Sequence, residues 1–136
     1  MKLFPSTSMT PEFNDLKGQK GFKRLINATR YSLNGLRTAW RDEAAFRQEC
    51  VLAAVLCLVA LALPVGFFEK SMLVAVTGFV LVVELLNSGI EAVVDRIGPE
   101  LHPLSGKAKD AGSAAVLVAL VCAGLVWTGV LVDLFT

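Results

Sequence analysis

Glu84, Asn87, Glu91 and Asp95 fall along one line of a helix. At about 100° per residue they stand at about 0°, 300°, 340° and 20°, and Ser88 joins them at about 40°. Glu84 follows the uncharged run Ser71–Val83 and has Val82, Val83, Leu85 and Leu86 as neighbours. A charged side chain at membrane depth costs at least ~2.5 kcal/mol on insertion scales, so one placed there needs a reason. Ending the apolar segment at Glu84 accounts for Asp95 and partly for Glu91, but not for Glu84 itself. Two further polar clusters can face this stripe. Asp42, Glu43 and Glu49 precede one apolar run, and Lys107, Lys109, Asp110 and Ser113 precede another. Gathered carboxylates can hold a hard divalent cation, Mg²⁺ above all, which takes oxygen ligands and shares them with phosphates. Lys109 and Arg24 can neutralise phosphate oxygens. The deep carboxylate left over, Glu84, suits a general base for a hydroxyl at headgroup level. The chemistry that results is metal-assisted phosphoryl transfer at a membrane face. A small structural or transport subunit is the competing reading.

The elements that must position these groups are written in the hydropathy. Of 136 residues 54% are apolar and 18% charged, and the 11 glycines raise the apolar share to about 62% on the definition by which soluble domains reach roughly 45–50%. Mean hydropathy is +0.61. Disorder is excluded, and a soluble domain is the minority reading. Cys50–Phe68 and Ala111–Val132 carry no charge over 19 and 22 residues. About 20 such residues cross a ~30 Å hydrocarbon core as helix. Ser71–Val83 with its continuation to Ile97 qualifies if a carboxylate is tolerated near its end. The expected fold is therefore all-α, with membrane spans at about 48–68, 71–97 and 107–133. Pro64 and Gly66 mark one loop; Gly98, Pro99, His102 and Pro103 mark the other.

Charge distribution gives the sidedness. Nine of the 13 Lys and Arg precede Cys50, Lys70 stands alone in the first loop, Arg96, Lys107 and Lys109 border the second, and none follows Val132. The positive-inside rule puts the N-terminus and second loop in the cytoplasm and the C-terminus outside. Before the first span, Phe22, Leu25, Ile26, Thr29, Leu33, Leu36 and Trp40 recur at 3–4 spacing, with Lys23, Arg24, Arg30, Arg37 and Arg41 on much of the rest. That pattern is a basic amphipathic helix lying on the membrane surface, at about 20–45. Residues 1–18 read as a flexible polar extension, and 19–136 as one membrane domain. Met1–Asn14 lacks the apolar core of a secretory signal, so targeting is expected to come from the spans.

Several chemistries are excluded or weak. Ser105-Gly106-Lys107 resembles the end of a P-loop, but Leu101 and Ala108 stand where Gly and Ser or Thr are needed. The Gly-rich loop and catalytic signatures of soluble kinases are missing. Cys50, Cys57 and Cys122 form no framework, and His102 has no partner at zinc-ligand spacing. On spacing alone His102 is a loop residue.

Five ordered stretches carry a resemblance. Gly21-Phe-Lys-Arg-Leu-Ile-Asn-Ala28, Tyr31-Ser-Leu-Asn-Gly-Leu-Arg37, Glu43-Ala-Ala-Phe-Arg-Gln-Glu49, Glu84 to Ile97 and Ser105 to Ala115 are similar to the motifs of the bacterial integral-membrane diacylglycerol kinases. The likeness covers about residues 20–133. It implies a homotrimer of three-span chains, each with an N-terminal surface helix, in the bacterial inner membrane. It implies an ATP-dependent enzyme that uses Mg²⁺ and phosphorylates diacylglycerol to phosphatidic acid. By the same resemblance Glu84 corresponds to the catalytic base, and Glu43 and Glu91 to the metal-binding carboxylates that also border ATP. Arg24, Tyr31, Asp95, His102, Lys109 and Asp110 match nucleotide positions. Glu49, Asn87 and Ser113 match polar positions near the reaction centre and lipid. The longer polar N-terminus, Gly89 and Pro99 depart from the pattern without touching these residues. Two alternatives stay open: a polyprenol kinase acting on undecaprenol, and a non-enzymatic membrane subunit whose acids pair structurally or relay protons.

Overall fold

The computed structural model describes residues 20–136, so the N-terminal extension expected at 1–18 lies outside the described residues. Among the described residues all regular structure is helical: α1 (Phe22–Asp42), α2 (Ala44–Ala62), α3 (Phe67–Ile97) and α4 (Pro103–Phe135). The described residues divide into two units, one up to Thr38 and the other Ala39–Thr136.

In the first unit the 3–4 spacing of apolar residues builds most of α1. Its stripe, with Leu25, Leu33 and Leu36, stays exposed, as do the basic residues beside it. An amphipathic helix with an exposed apolar stripe needs an apolar surface to cover it.

The second unit begins in the last turn of α1, at Ala39. Glu43 alone separates α1 from α2, with an extended backbone (φ −120°, ψ 107°). The hydropathy places a gentler boundary here, with the surface helix to 45 and the span from 48. Arg47 makes the joint sharp. Its Nη1 donates to the carbonyls of Trp40 (2.7 Å) and Arg41 (3.0 Å), satisfying the open C-terminal end of α1 with a cation. Beside the joint Arg41 donates to Asp42 at 2.7 Å and holds that carboxyl below the usual carboxylate range.

Helix α2 stops at Ala62, short of the expected 68. Pro64 disfavours helical geometry at Leu63, whose ψ is 141°, and Lys70 Nζ donates to the freed Leu61 carbonyl at 2.7 Å. Gly98 (φ 144°) ends α3 in a backbone conformation that costs a glycine little. Pro103 opens α4, several residues before the expected 107, because its fixed φ suits a first helical position. His102 caps it, with Nδ1 accepting from the Leu104 amide at 3.1 Å.

Helix α3 packs against both α2 and α4. The contacts rest on small side chains: Ala53 and Ala60 of α2 and Gly112 and Ala119 of α4 are buried, with Phe46, Leu73, Thr77, Asn87 and Val94. Small residues let helix backbones approach closely, which is how helices associate in lipid. Thr77 donates to the Leu73 carbonyl (2.7 Å) and accepts from Trp127 Nε1 (3.0 Å), tying α3 to α4 at mid-depth.

All three of these helices are long and apolar enough to cross a membrane. In the most apolar window of α4 only 6% of residues are buried within the chain. An apolar surface of that extent has lipid or other protein as its natural solvent. Along α3, Glu84 lies about 26 Å from Phe67 and Glu91 about 36 Å at 1.5 Å per residue. A ~30 Å core that begins after the charged Glu69 and Lys70, at Ser71, takes in Glu84 and ends near Glu91. The acidic stripe therefore starts inside the apolar slab and runs out of it.

Candidate active site

The second unit brings four carboxylates toward one end of α3, spread over about two turns. Glu84 is half-buried, and the charges of Glu43 and Glu91 both act on it; those of Glu84 and Glu43 act on Glu49. The groups come from different elements. Glu43 sits at the joint before α2, Glu49 lies in the first turns of α2, and Glu84 and Glu91 share a face of α3 two turns apart. Among the described residues no hydrogen bond or ion pair restrains the Glu84 carboxylate, while Glu43, Glu49 and Glu91 lie near it.

Polar side chains restrain its neighbours. Ser88 Oγ donates to Glu43 Oε2 at 2.5 Å across 45 positions of sequence. Asn87, 8% exposed, donates through Nδ2 to Glu91 Oε1 at 3.3 Å. Two buried oxygens, Glu49 Oε2 and Asn87 Oδ1, have no partner among the described residues. Farther out on α3, Asp95 accepts from Lys109 of α4 at 2.7 Å in an exposed ion pair.

Magnesium can be tested against this set. The donors are hard carboxylate and amide oxygens, the chemistry Mg²⁺ takes. Among the described residues no three acidic, His or Cys side chains converge as a ready-made cage. One or two carboxylates, with phosphates completing the shell, is the usual Mg²⁺ arrangement at a kinase site. Glu43 and Glu91 are two such carboxylates, each held by a polar side chain of α3. The residues fit the ion.

The remaining candidates are spread more widely. His102 spends Nδ1 on the cap of α4, and a pocket beside it is lined by Asp95, Ser105 and Lys109. Asp110 and Ser113 are exposed on the first turns of α4. Arg24 and Tyr31 lie on α1 in the first unit, Arg24 exposed and Tyr31 half-buried. An apolar cleft of about 230 Å³ runs between α2, α3 and α4. Glu49 borders it at the carboxylate level, Leu52, Leu56, Leu81 and Leu120 line it, and Thr77 and Trp127 border it about 10 Å farther along α3. Three participants are not evident as such in the sequence. Ser88 shares the acidic stripe, but its partner is remote. Gly112 and Arg47 act through contacts that only the fold creates.

An all-helical, three-span chain with clustered carboxylates at one end of its spans is the class that fold and site define. The chain belongs to the prokaryotic diacylglycerol kinase family, whose model matches residues 30–131. It is 53% identical over 115 residues to the diacylglycerol kinase of Pseudomonas aeruginosa, covering 85% of this chain and 94% of that one. It is 52% identical over 107 residues to the diacylglycerol kinase of Escherichia coli K12, with 79% and 88% covered. The diacylglycerol kinase of Haemophilus influenzae is 49% identical over 111 residues, with 82% and 94% covered.

Proposed function

We propose that this chain is an ATP-dependent diacylglycerol kinase of the bacterial inner membrane, forming phosphatidic acid at the cytoplasmic face. The observation that carries the reading is the half-buried Glu84, without a hydrogen-bond or ion-pair partner among the described residues, near Glu43 and Glu91 toward one end of the apolar slab. A base at that level meets a lipid hydroxyl from one side and a soluble nucleotide from the other. Glu84 takes the proton of the diacylglycerol hydroxyl as its oxygen forms a bond to the γ-phosphorus and the bond to the ADP oxygen breaks. Glu43 and Glu91 would hold Mg²⁺, which when bound offsets charge on the ATP phosphates. Lys109, oriented by Asp95, neutralises phosphate oxygens, and His102 and Asp110 serve the nucleotide beside it; Arg24 and Tyr31 of α1 are assigned to the nucleotide by the family resemblance alone. Glu49, Asn87 and Ser113 border the lipid headgroup, and the apolar cleft beside Glu49 gives acyl chain somewhere to lie. Catalysis on this plan is positioning and electrostatics, as expected for phosphoryl transfer.

The chain works as a homotrimer. Its spans expose most of their apolar area, and neighbouring copies would close the acidic stripe against helices. Lys and Arg bias puts the N-terminus and the α3–α4 loop inside and the C-terminus outside, with α1 on the membrane surface. The test is phosphate transfer from MgATP by purified protein in detergent across a panel of lipid alcohols. Faster turnover of diacylglycerol than of undecaprenol is expected. Preference for undecaprenol would make the chain a polyprenol kinase, and no ATP consumption with any alcohol would end the enzymatic reading.

A further inference from the structure

We infer that Ser88 and Asn87 are positioning residues, which hold the carboxylates of Glu43 and Glu91 along the stripe that Glu84 begins, and that Gly112 supplies the space in which Asn87 is seated. The inference rests on the metal reading of Glu43 and Glu91 and goes beyond it by naming what sets their geometry.

Ser88 behaves unlike other hydroxyls of these helices. Thr29, Ser32, Ser71 and Thr77 each donate to the carbonyl four residues back, at 2.7–2.9 Å. That local bond is the default for a hydroxyl inside a helix. Ser88 instead commits its proton to Glu43 at 2.5 Å. A short bond to an ionised acceptor is the stronger kind, and it fixes one carboxylate oxygen in direction as well as place. Glu43 is correspondingly free of local duty: it stands at the N-cap of α2, yet its side chain makes no capping bond.

Asn87, the preceding residue, points about 100° away around α3 and serves the other carboxylate. Its Nδ2 bond to Glu91, one turn along, sets which way the amide faces, because the oxygen could only repel that carboxylate. Oδ1 then turns toward α4, where it occupies the volume that a Cβ on Gly112 would need. Gly112 is buried, and any side chain there drives Asn87 off Glu91 or separates the helices. Two adjacent residues thus oppose the mutual repulsion of Glu43, Glu84 and Glu91, which would otherwise turn the outer carboxylates away.

The test uses the full chain in detergent with a non-hydrolysable ATP analogue and Mn²⁺ as the probe, its binding read by electron paramagnetic resonance. The Mg²⁺ half-saturation of turnover is measured alongside. Ser88→Ala and Gly112→Ala should each weaken Mn²⁺ binding about ten-fold, the loss typical of residues that orient metal ligands. Ser88→Thr, which keeps the hydroxyl, should restore it. Gly129→Ala serves as control, since a Cβ there meets nothing within 4 Å, and should bind as the unmodified chain does. In a Glu43→Gln background, Ser88→Ala should add no further loss. If Gly112→Ala fails to fold, the Ser88→Ala and Ser88→Thr pair still decides. Glu43→Gln with unaltered Mn²⁺ binding would overturn the metal reading. Glu43→Gln with lost binding, beside Ser88→Ala with full binding, would overturn the positioning role alone.

Discussion

Replacing Glu84 by Gln separates chemistry from folding with opposite signs. The two side chains are nearly isosteric, so packing among Val83, Leu85 and the facing helices is kept. Among the described residues no hydrogen bond or ion pair restrains the Glu84 carboxylate, and its surroundings include Glu43, Glu49 and Glu91. Neutralising it removes repulsion and a charge from an apolar level, so Glu84→Gln should be at least as resistant to unfolding as the unmodified chain. Activity should move the other way. A positioned general base contributes about 10²–10⁴-fold, equivalent to about 2.7–5.4 kcal/mol of barrier. Glu84→Asp keeps the base but retracts it by roughly 1.5 Å, one carbon–carbon bond. A misplacement of that size costs about 10²-fold on its own. The assay is phosphate transfer from labelled ATP to diacylglycerol in mixed micelles, paired with thermal unfolding of the same preparations. Glu84→Gln turnover within ten-fold of normal would refute the base assignment. Glu84→Gln unfolding well below the unmodified chain would refute the claim that the carboxylate is held against repulsion.

Other outcomes follow from the same contacts. Lys109→Met should raise the KM for ATP about ten-fold, while unfolding shifts by less than about 1 kcal/mol, because the Lys109–Asp95 pair is exposed; KM and unfolding measurements on one preparation check both. Thr77→Val should destabilise the α3–α4 contact by about 1–3 kcal/mol, because it strands the Trp127 N–H in an apolar cleft. The Thr77→Val and Trp127→Phe double-mutant cycle should give a coupling of the same size in denaturing-detergent titrations, because Trp127→Phe removes the stranded N–H. His102→Ala should cost about 1 kcal/mol through the lost cap of α4. His102→Asn should restore that stability but not ATP affinity, which distinguishes capping from nucleotide contact.

Much of this was legible in the residues because lipid makes patterning stringent. The uncharged runs announce three helices, and Glu84 stands out because its neighbours are apolar. The 3.6 period then groups Asn87, Ser88, Glu91 and Asp95 with it, and the structure keeps them on α3. Helix ends were harder. The single-residue joint at Glu43 depends on Arg47 folding back to Trp40 and Arg41, and no breaker residue marks it. The early stop of α2 was readable from Pro64, and the His102-Pro103 start of α4 is a capping signature. The Ser88–Glu43 bond and the seat of Asn87 over Gly112 join residues that are far apart in sequence or on different helices. Local periodicity carries no information about such pairs.

The uncapped start of α2 has a consequence for selection. Glu43 occupies a position where Ser, Asn or Asp would bond the first-turn amides and contribute about 1 kcal/mol, yet its carboxylate reaches away to Ser88. On the proposed metal role of Glu43, robustness and turnover compete for one residue. Variants chosen only for thermal tolerance should accumulate short polar side chains at position 43 and fade as catalysts. Heat-resistant forms that remain active should find their added stability elsewhere, in the apolar contacts of α3 and α4.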